Sequence, residues 1–224
     1  MLNKFILLLI TCFLCNNYSF AQEKKPNVSV LFGPNLVTLH GGNPLDGLTS
    51  NIRGALGISF QYPLKRKLAI RSYLLYEKKG CNQPDVVLLD STLTTILDVG
   101  KIVSNFDYLT IPVLLEYTTG RRVKYSFAAG GYFAYLIKHK NILYGLNNPP
   151  LVLYEGFILA NREDFGLSGS ANVSVPISKR LSANANILYN RGIRNIFKKE
   201  FSGGFQYYNS SANLLFGLTY EIND

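Results

Sequence analysis

Cysteine is scarce in this sequence, and its scarcity limits the covalent chemistry of the chain. Only three cysteines occur among 224 residues, and Cys12 and Cys15 fall in an N-terminal segment that we expect to be removed. The mature chain then keeps one cysteine, Cys81, which excludes an internal disulfide. Because no histidine lies near it in sequence, we interpret Cys81 as a loop thiol rather than a nucleophile.

Long apolar runs are also lacking beyond the N-terminus. No later stretch reaches the roughly 18 continuous apolar residues of a membrane-spanning helix. The N-terminus itself has Lys4, an apolar run over 5–14, and Phe20-Ala21 before Gln22, which is typical of a secretory signal peptide cleaved after Ala21. The residues before Cys12 and Cys15 fit a lipoprotein signal badly. We therefore predict a signal peptide at 1–21 and one domain at 22–224.

What the rest of the chain has is alternation of apolar and polar residues. In the run LSANANILYN (181–190), apolar residues take the odd positions while Ser and Asn take most of the even ones. A period of two indicates a β-strand, because successive side chains point to opposite faces. The same test identifies eight strands in all, at 27–35, 54–63, 67–78, 108–117, 123–137, 165–177, 181–190 and 210–222.

The connections between these strands alternate between short and long. Tight turns follow the second, fourth and sixth strands, whereas the remaining connections are predicted as long loops at 37–52, 79–104, 138–163 and 194–209. Short turns at one rim and long loops at the other are typical of outer-membrane barrels. We predict an all-β fold, an eight-stranded antiparallel up-and-down transmembrane β-barrel with short periplasmic turns and long extracellular loops.

The polar face of these strands indicates which side of the sheet meets water. A soluble barrel would carry many charges on an outward polar face. Across the last three strands the polar face carries one charge, Glu221, among small residues that suit a narrow lumen. We therefore predict that the apolar face meets lipid. A soluble exported ligand-binding barrel is the alternative, and it requires the opposite arrangement.

Aromatic residues give an independent indication of the membrane. Several rings share the apolar face, one group near the short turns and another toward the long loops, as expected of girdles at the two membrane interfaces. The predicted girdle residues are Tyr62, Tyr117, Tyr125 and Tyr220 near the turns, and Tyr76, Tyr135, Phe165 and Tyr189 toward the loops.

Charged residues on the predicted inner face are few. Glu116 and Lys124 are symmetric about Gly120 in sequence, so we expect them to face each other in the lumen, with Arg71 close by. Because a buried charge needs a partner, we predict that Arg71, Glu116 and Lys124 form an ion-pair plug near the periplasmic end. An ion or proton path is the alternative interpretation.

The net charge of +9 is concentrated partly in the short turns, for example at Lys65 to Lys67 and at Arg121-Arg122. Nucleic-acid binding needs a groove with stacking aromatics, whereas these are separate tight turns. We predict contact with anionic phospholipid at the inner leaflet instead.

Catalysis has little support in this sequence. Hydrolysis needs a histidine beside a nucleophile or a bound water, and His40 and His139 both fall in predicted loops without the His-x-Ser spacing of lipid A deacylases. No metal-ligand spacing and no phosphate-binding loop occurs. We predict no enzyme activity, no catalytic or metal-binding residues, and no cofactor.

The sequence resembles a known family, and two neighbouring runs carry the resemblance. FDYLTIPVLLEYTTG (106–120), followed by YSFAAGGYFAYLI (125–137), resembles the fourth and fifth strands of PorT-like outer-membrane β-barrel domains of Bacteroidota. The resemblance covers essentially the whole mature chain and implies location in the cell outer membrane. The chain departs from many outer-membrane barrels in ending on YEIND rather than on an aromatic residue.

From these patterns we expect a structural, adhesive or assembly-linked role that is exercised through the surface loops. The alternative is a small pore or transporter for a hydrophobic ligand. The expected partners are outer-membrane lipids, the barrel-assembly machinery, and surface polysaccharide or another envelope protein.

Overall fold

The structure is a computed structural model that describes residues 25–42, 47–89, 96–145, 149–201 and 204–222. The predicted signal peptide, residues 1–21, lies outside these ranges. Within them no helix is long and apolar enough to cross a membrane. The strands are β1 (Asn27–Gly41), β2 (Asn51–Pro63), β3 (Leu68–Leu89), β4 (Ile96–Thr119), β5 (Lys124–Gly145), β6 (Leu151–Glu155), β7 (Glu163–Pro176), β8 (Leu181–Gly192) and β9 (Tyr207–Glu221).

Eight of these strands close into a ring. Each pairs antiparallel with the next, in the order β1, β2, β3, β4, β5, β7, β8 and β9, and β9 pairs back with β1. The short strand β6 stands outside the ring and pairs with the upper part of β5. A closed ring pairs backbone groups along every strand, which hydrocarbon requires because it offers no hydrogen bonds. The predicted eight-stranded up-and-down fold is confirmed.

The two faces of the ring are inverted relative to a soluble protein. On β8, Asn184, Asn186 and Asn190 are buried, whereas Ile187 is 56% and Tyr189 43% exposed. The same alternation recurs around the ring, so that polar side chains fill the lumen and rows of Leu, Ile, Val and Phe face outward. A soluble barrel would bury those rows, so the soluble alternative is wrong.

The long connections are less loop-like than predicted. β3 and β4 remain paired far beyond the predicted ends of their strands, up to Leu89 and Ile96, and β5 continues to Gly145. Together with β6 they form a sheet, here called the sheet extension, that rises above the ring on the long-loop side. The alternation of apolar and polar residues did not reveal this sheet, because Gly80, Pro84 and a bulge between Gln83 and Val86 interrupt it. The predicted loops at 79–104 and 138–163 are therefore wrong over much of their length.

Candidate functional site

The lumen is filled in layers, and strand β3 passes through all of them. Its inward residues follow at every second position, from Arg71 near the short turns to Cys81 toward the long loops. They belong in turn to an ion pair, an apolar layer, a second ionic cluster and an apolar cap. Since side chains on one face of a strand lie about 7 Å apart, these layers are stacked along the barrel axis.

The first layer is an ion pair between Arg71 and Glu116. The guanidinium Nε contacts Oε2 of Glu116, and an Nη nitrogen lies 3.3 Å from Oε1. Both residues are buried, at 6% and 1% exposure. Gln61 donates to Oε1 of Glu116 at 2.5 Å and Thr118 donates to the same atom at 3.1 Å. The carboxylate thus has neutral donors in addition to its charged partner.

Lys124 does not join this pair. The hairpin between β4 and β5 is centred on Arg122 rather than Gly120, so that Glu116 lies opposite Ala128. Gly120 has a φ of +98° and begins a four-residue turn instead of occupying its middle. The predicted placement of Lys124 opposite Glu116 is therefore wrong. Lys124 instead lines a polar cavity of about 270 Å³ that opens at the short-turn end, below Arg71.

The second layer is apolar and separates the ionic layers. Its buried side chains come from six strands around the ring, and all point inward. They are Leu31, Ala55, Tyr73, Leu75, Leu114, Leu188 and Leu215. Leu188 is fully buried here, which explains the one apolar residue on the polar face of the LSANANILYN run. Such a layer excludes water and hydrated ions from the centre of the lumen.

The third layer is a buried ionic cluster of Glu77, Lys79 and Asp164. The Lys79 ammonium lies 3.6 Å from Oε2 of Glu77 and 3.5 Å from Oδ2 of Asp164. The rings of Tyr108 and Tyr132 face the same ammonium, with centroids at 5.1 and 4.6 Å. All three charged residues are at most 1% exposed. Sequence reasoning missed this cluster because Lys79 and Asp164 fall just outside the predicted strand ends.

Neutral donors complete the coordination of these two carboxylates. Glu77 accepts hydrogen bonds from Thr110, Asn190 and Asn213, at 3.0, 3.2 and 2.7 Å respectively. Asp164 accepts from Tyr132 at 3.1 Å and from Asn209 at 3.0 Å. The asparagines that stand out in the sequence thus serve as lumen donors to buried carboxylates.

The apolar cap closes the lumen at the long-loop end. It consists of Leu39, Cys81, Phe106, Tyr108, Tyr132, Ala134, Leu136, Ala160 and Ile196. Cys81, predicted as a loop thiol, lies on β3 and is buried here. His139 borders the cap, stacked on Phe106 with 4.2 Å between ring centroids. The cap and the layers beneath it fill the lumen above the short-turn cavity with buried side chains.

Burial lowers the pKa of His139, which favours the neutral ring. Between the ordinary value near 6.5 and the lowered folded value, the unfolded chain binds a proton that the folded chain excludes. The stabilising contribution of the neutral His139 ring is therefore fully present above pH 6.5, and it is lost as the pH falls below that value. We expect the urea concentration at the midpoint of unfolding to decrease when the pH is lowered from about 8 to about 5. The variant His139→Gln should show a smaller decrease.

His40 supplies the control for this pH effect, because burial, and after it Arg191, also lowers its pKa. The variant His40→Gln should keep the part of the pH-dependent decrease that His139 causes. The double variant should lose the parts that both histidines cause. A fall in the midpoint that is identical in the wild type and in His139→Gln would contradict the assignment to His139.

His40 also makes the one serine–histidine contact found in the described residues. Its Nδ1 and the Ser210 hydroxyl are 2.9 Å apart, on neighbouring strands and 170 residues apart in sequence. No carboxylate hydrogen-bonds to the ring among the contacts of these residues, so the orienting third member of a triad is missing. No group of three potential metal ligands occurs in the described ranges either. The absence of catalysis stays a prediction.

The predicted girdle residues lie on the outer face. Seven of them are 41–49% exposed: Tyr62, Tyr117, Tyr125, Tyr220, Tyr135, Phe165 and Tyr189. Tyr76 is half-buried, and its hydroxyl donates to Asp107 at 2.7 Å. Contact of these rings with membrane interfaces stays a prediction.

Comparison with known proteins gives a family and a fold. The family model described as "Outer membrane protein beta-barrel domain" matches residues 20–198. The outer membrane protein OprG from Pseudomonas aeruginosa is similar, with 12% identity over 92% of this chain and 100% of that chain and a TM-score of 0.50. No curated protein matches the chain in sequence.

Two further solved structures are similar at lower scores. Ail of Yersinia pestis has 10% identity over 89% of this chain and 100% of that chain, with a TM-score of 0.43. The Outer Membrane Protein W of E. coli has 14% identity over 91% and 100%, also with a TM-score of 0.43. At such identities the likeness concerns the fold and not the role.

Proposed function

We propose, from the premise that this chain belongs to the outer membrane protein β-barrel domain family, that it is a closed barrel whose role is exercised by the sheet extension at the cell surface. The role is structural, adhesive or assembly-linked, and the partner is another envelope protein or a surface polysaccharide. The proposal includes the narrower PorT-like assignment, export by a signal peptide cleaved after Ala21, and insertion by the barrel-assembly machinery.

The sheet extension is the observation that carries this proposal. Above the ring, β3, β4, β5 and β6 stay hydrogen-bonded to one another, so the surface they offer is ordered rather than a set of separate loops. β6 is its outermost strand, and Leu151, Val152 and Leu153 on it are 58%, 45% and 47% exposed. An edge strand with unpaired backbone groups and exposed apolar side chains is suited to pair with another chain.

The layered lumen argues against the alternative of a small pore. Solute passage would have to displace an ion pair, an apolar layer, a second ionic cluster and the cap, and separating buried ion pairs costs several kcal/mol. A transporter for a hydrophobic ligand would need an apolar chamber, whereas the lumen cavity at the short-turn end is lined by Ser, Asn, Thr and basic side chains.

The surface role is tested by substitution on β6. Cells that lack the gene, complemented with Leu151→Ser/Leu153→Ser, are expected to lose the same surface proteins or surface polysaccharide as cells without complementation, because the apolar edge no longer binds its partner. The measurement is the surface proteome and glycan profile of intact cells. Leu64→Ser is the matched control, since Leu64 is 46% exposed in a turn at the opposite end.

The wild-type gene and Leu64→Ser should both restore the surface profile. Heat-modifiable gel migration of each variant verifies that the barrel has folded. If the β6 variant folds and restores the full profile, the sheet extension does not carry the role.

A further inference from the structure

A second cavity, of about 310 Å³, lies on the outside of the barrel. The inward neighbours of its lining residues on β3, β4 and β5, among them Glu77, Phe106 and His139, are buried in the lumen or the cap. The residues between them therefore face outward. This outer cavity is lined by the outward residues Lys78, Asn105, Asp107, Lys138 and Lys140. Arg53 of β2 also lines it, although its backbone lies opposite the buried Asn35 on β1.

The outer cavity sits at the edge of the outward apolar band. Along the outer face of β3 the residues read Leu74, Tyr76 and Lys78, which is apolar, then amphipathic, then charged. The Tyr76 hydroxyl donates to Asp107 in the wall of the cavity at 2.7 Å. Because tyrosine hydroxyls lie at headgroup depth in membrane proteins, we expect the cavity to open at the headgroups of the outer leaflet.

The charges around this cavity leave a positive excess. Four cations line it against one carboxylate, Asp107. The nearby Glu155 adds a second, 2.9 Å from the Lys138 ammonium and 3.8 Å from that of Lys140. Four positive and two negative charges leave an excess of two, which suits a doubly charged anion.

Arg53 gives the second and independent indication of a ligand. Its Nε and one Nη nitrogen are buried and make no hydrogen bond with the described residues. Buried donors without an acceptor are costly, and a guanidinium presents its N–H groups as a fork that matches phosphate oxygens. Because Arg53 forms part of the cavity wall, a turn of its side chain toward the cavity would let an anion with several oxygens satisfy both nitrogens.

We propose that the outer cavity binds a phosphate group of a glycolipid in the outer leaflet. Arg53 holds two phosphate oxygens through its fork, and Lys78, Lys138 and Lys140 supply point charges around them. The acyl chains then lie along the exposed apolar rows below the cavity. This inference rests on the outer-membrane placement in the proposed function, but it does not depend on the β6 edge or on its partner.

Binding of bisphosphorylated lipid A to the detergent-purified protein tests this proposal, with native mass spectrometry as the readout. Arg53→Gln is expected to weaken binding at least about tenfold, because it removes a charged two-point contact. Enzymatically dephosphorylated lipid A should bind the wild type as weakly as the phosphorylated lipid binds Arg53→Gln. The control, Lys101→Gln, removes an exposed cation that does not line the cavity and should leave affinity within about twofold.

Inorganic phosphate and an acidic polysaccharide are the competing ligands in the same assay. If either displaces lipid A at equal molar concentration, the site does not select a lipid phosphate and the proposal fails. It also fails if the dephosphorylated lipid binds as tightly as the phosphorylated one, or if Arg53→Gln, verified as folded by heat-modifiable migration, keeps the wild-type affinity. A normal surface profile for Arg53→Gln in cells separates this site from the role of β6.

Discussion

Replacing Lys79 with methionine is expected to lower the free energy of unfolding by about 3–5 kcal/mol. The substitution keeps the length of the side chain but removes the ammonium that lies between Glu77 and Asp164. Two carboxylates then share a buried site with no cation between them. Their five neutral hydrogen bonds continue to solvate the charge, which places the effect toward the lower end of that range.

The effect is measured by urea titration in liposomes, with the folded fraction read from gel migration without heating. Lys78→Met is the matched control, because Lys78 is the next residue on β3 but points outward, and it should change stability by less than about 0.5 kcal/mol. Adding Glu77→Gln and Asp164→Asn to Lys79→Met should recover most of the loss, since no net charge stays buried. A Lys79→Met protein as stable as the wild type would mean that the cluster contributes nothing to the fold.

The sequence predicted the faces of the barrel strands better than their ends. The face on which a residue lies follows from the local period of two alone. The lipid hydrocarbon outside and the small polar groups inside impose that period on every strand of the barrel. Strand ends in the sheet extension obey no such rule, because that sheet lies beyond the apolar band and tolerates bulges. At the bulge beside Asp107 and Tyr108, the parity of β5 reverses, so that His139 faces inward although Ile137 faces outward.

Only the part of the candidate site near the short turns, the pair of Arg71 and Glu116, was predictable from the sequence. Arg71 and Glu116 both follow from parity and from nearness to the short turns. The cluster of Glu77, Lys79 and Asp164 depends on closure of the ring, since Asp164 lies 85 residues from Lys79 in sequence. Nothing in a single strand indicates which residue of another strand will reach across the lumen. The outer cavity escaped prediction for a similar reason, because its cations come from β2, β3 and β5.

Replacing Arg71 with methionine is expected to cost about 3–5 kcal/mol of unfolding free energy. Glu116 would then stay buried at 1% exposure with no cation, and its bonds from Gln61 and Thr118 would offset only part of the loss. Glu116→Gln is expected to cost less than Arg71→Met, because glutamine keeps an oxygen acceptor and a similar volume. Lys124→Met is the control and should change stability by less than about 0.5 kcal/mol, since Lys124 is exposed and outside the pair.

Conductance of the wild type, Arg71→Met and Glu116→Gln separates a structural plug from an ion path. The wild type in planar bilayers should give no steady current, and neither should Arg71→Met or Glu116→Gln, because the apolar layer of Leu75, Leu114, Leu188 and their neighbours still closes the lumen above the pair. An ion path predicts the reverse, a current that depends on Glu116 while heat stability is unchanged. If Glu116→Gln alters conductance without altering the melting temperature, the buried pair belongs to a channel and the lumen is not blocked.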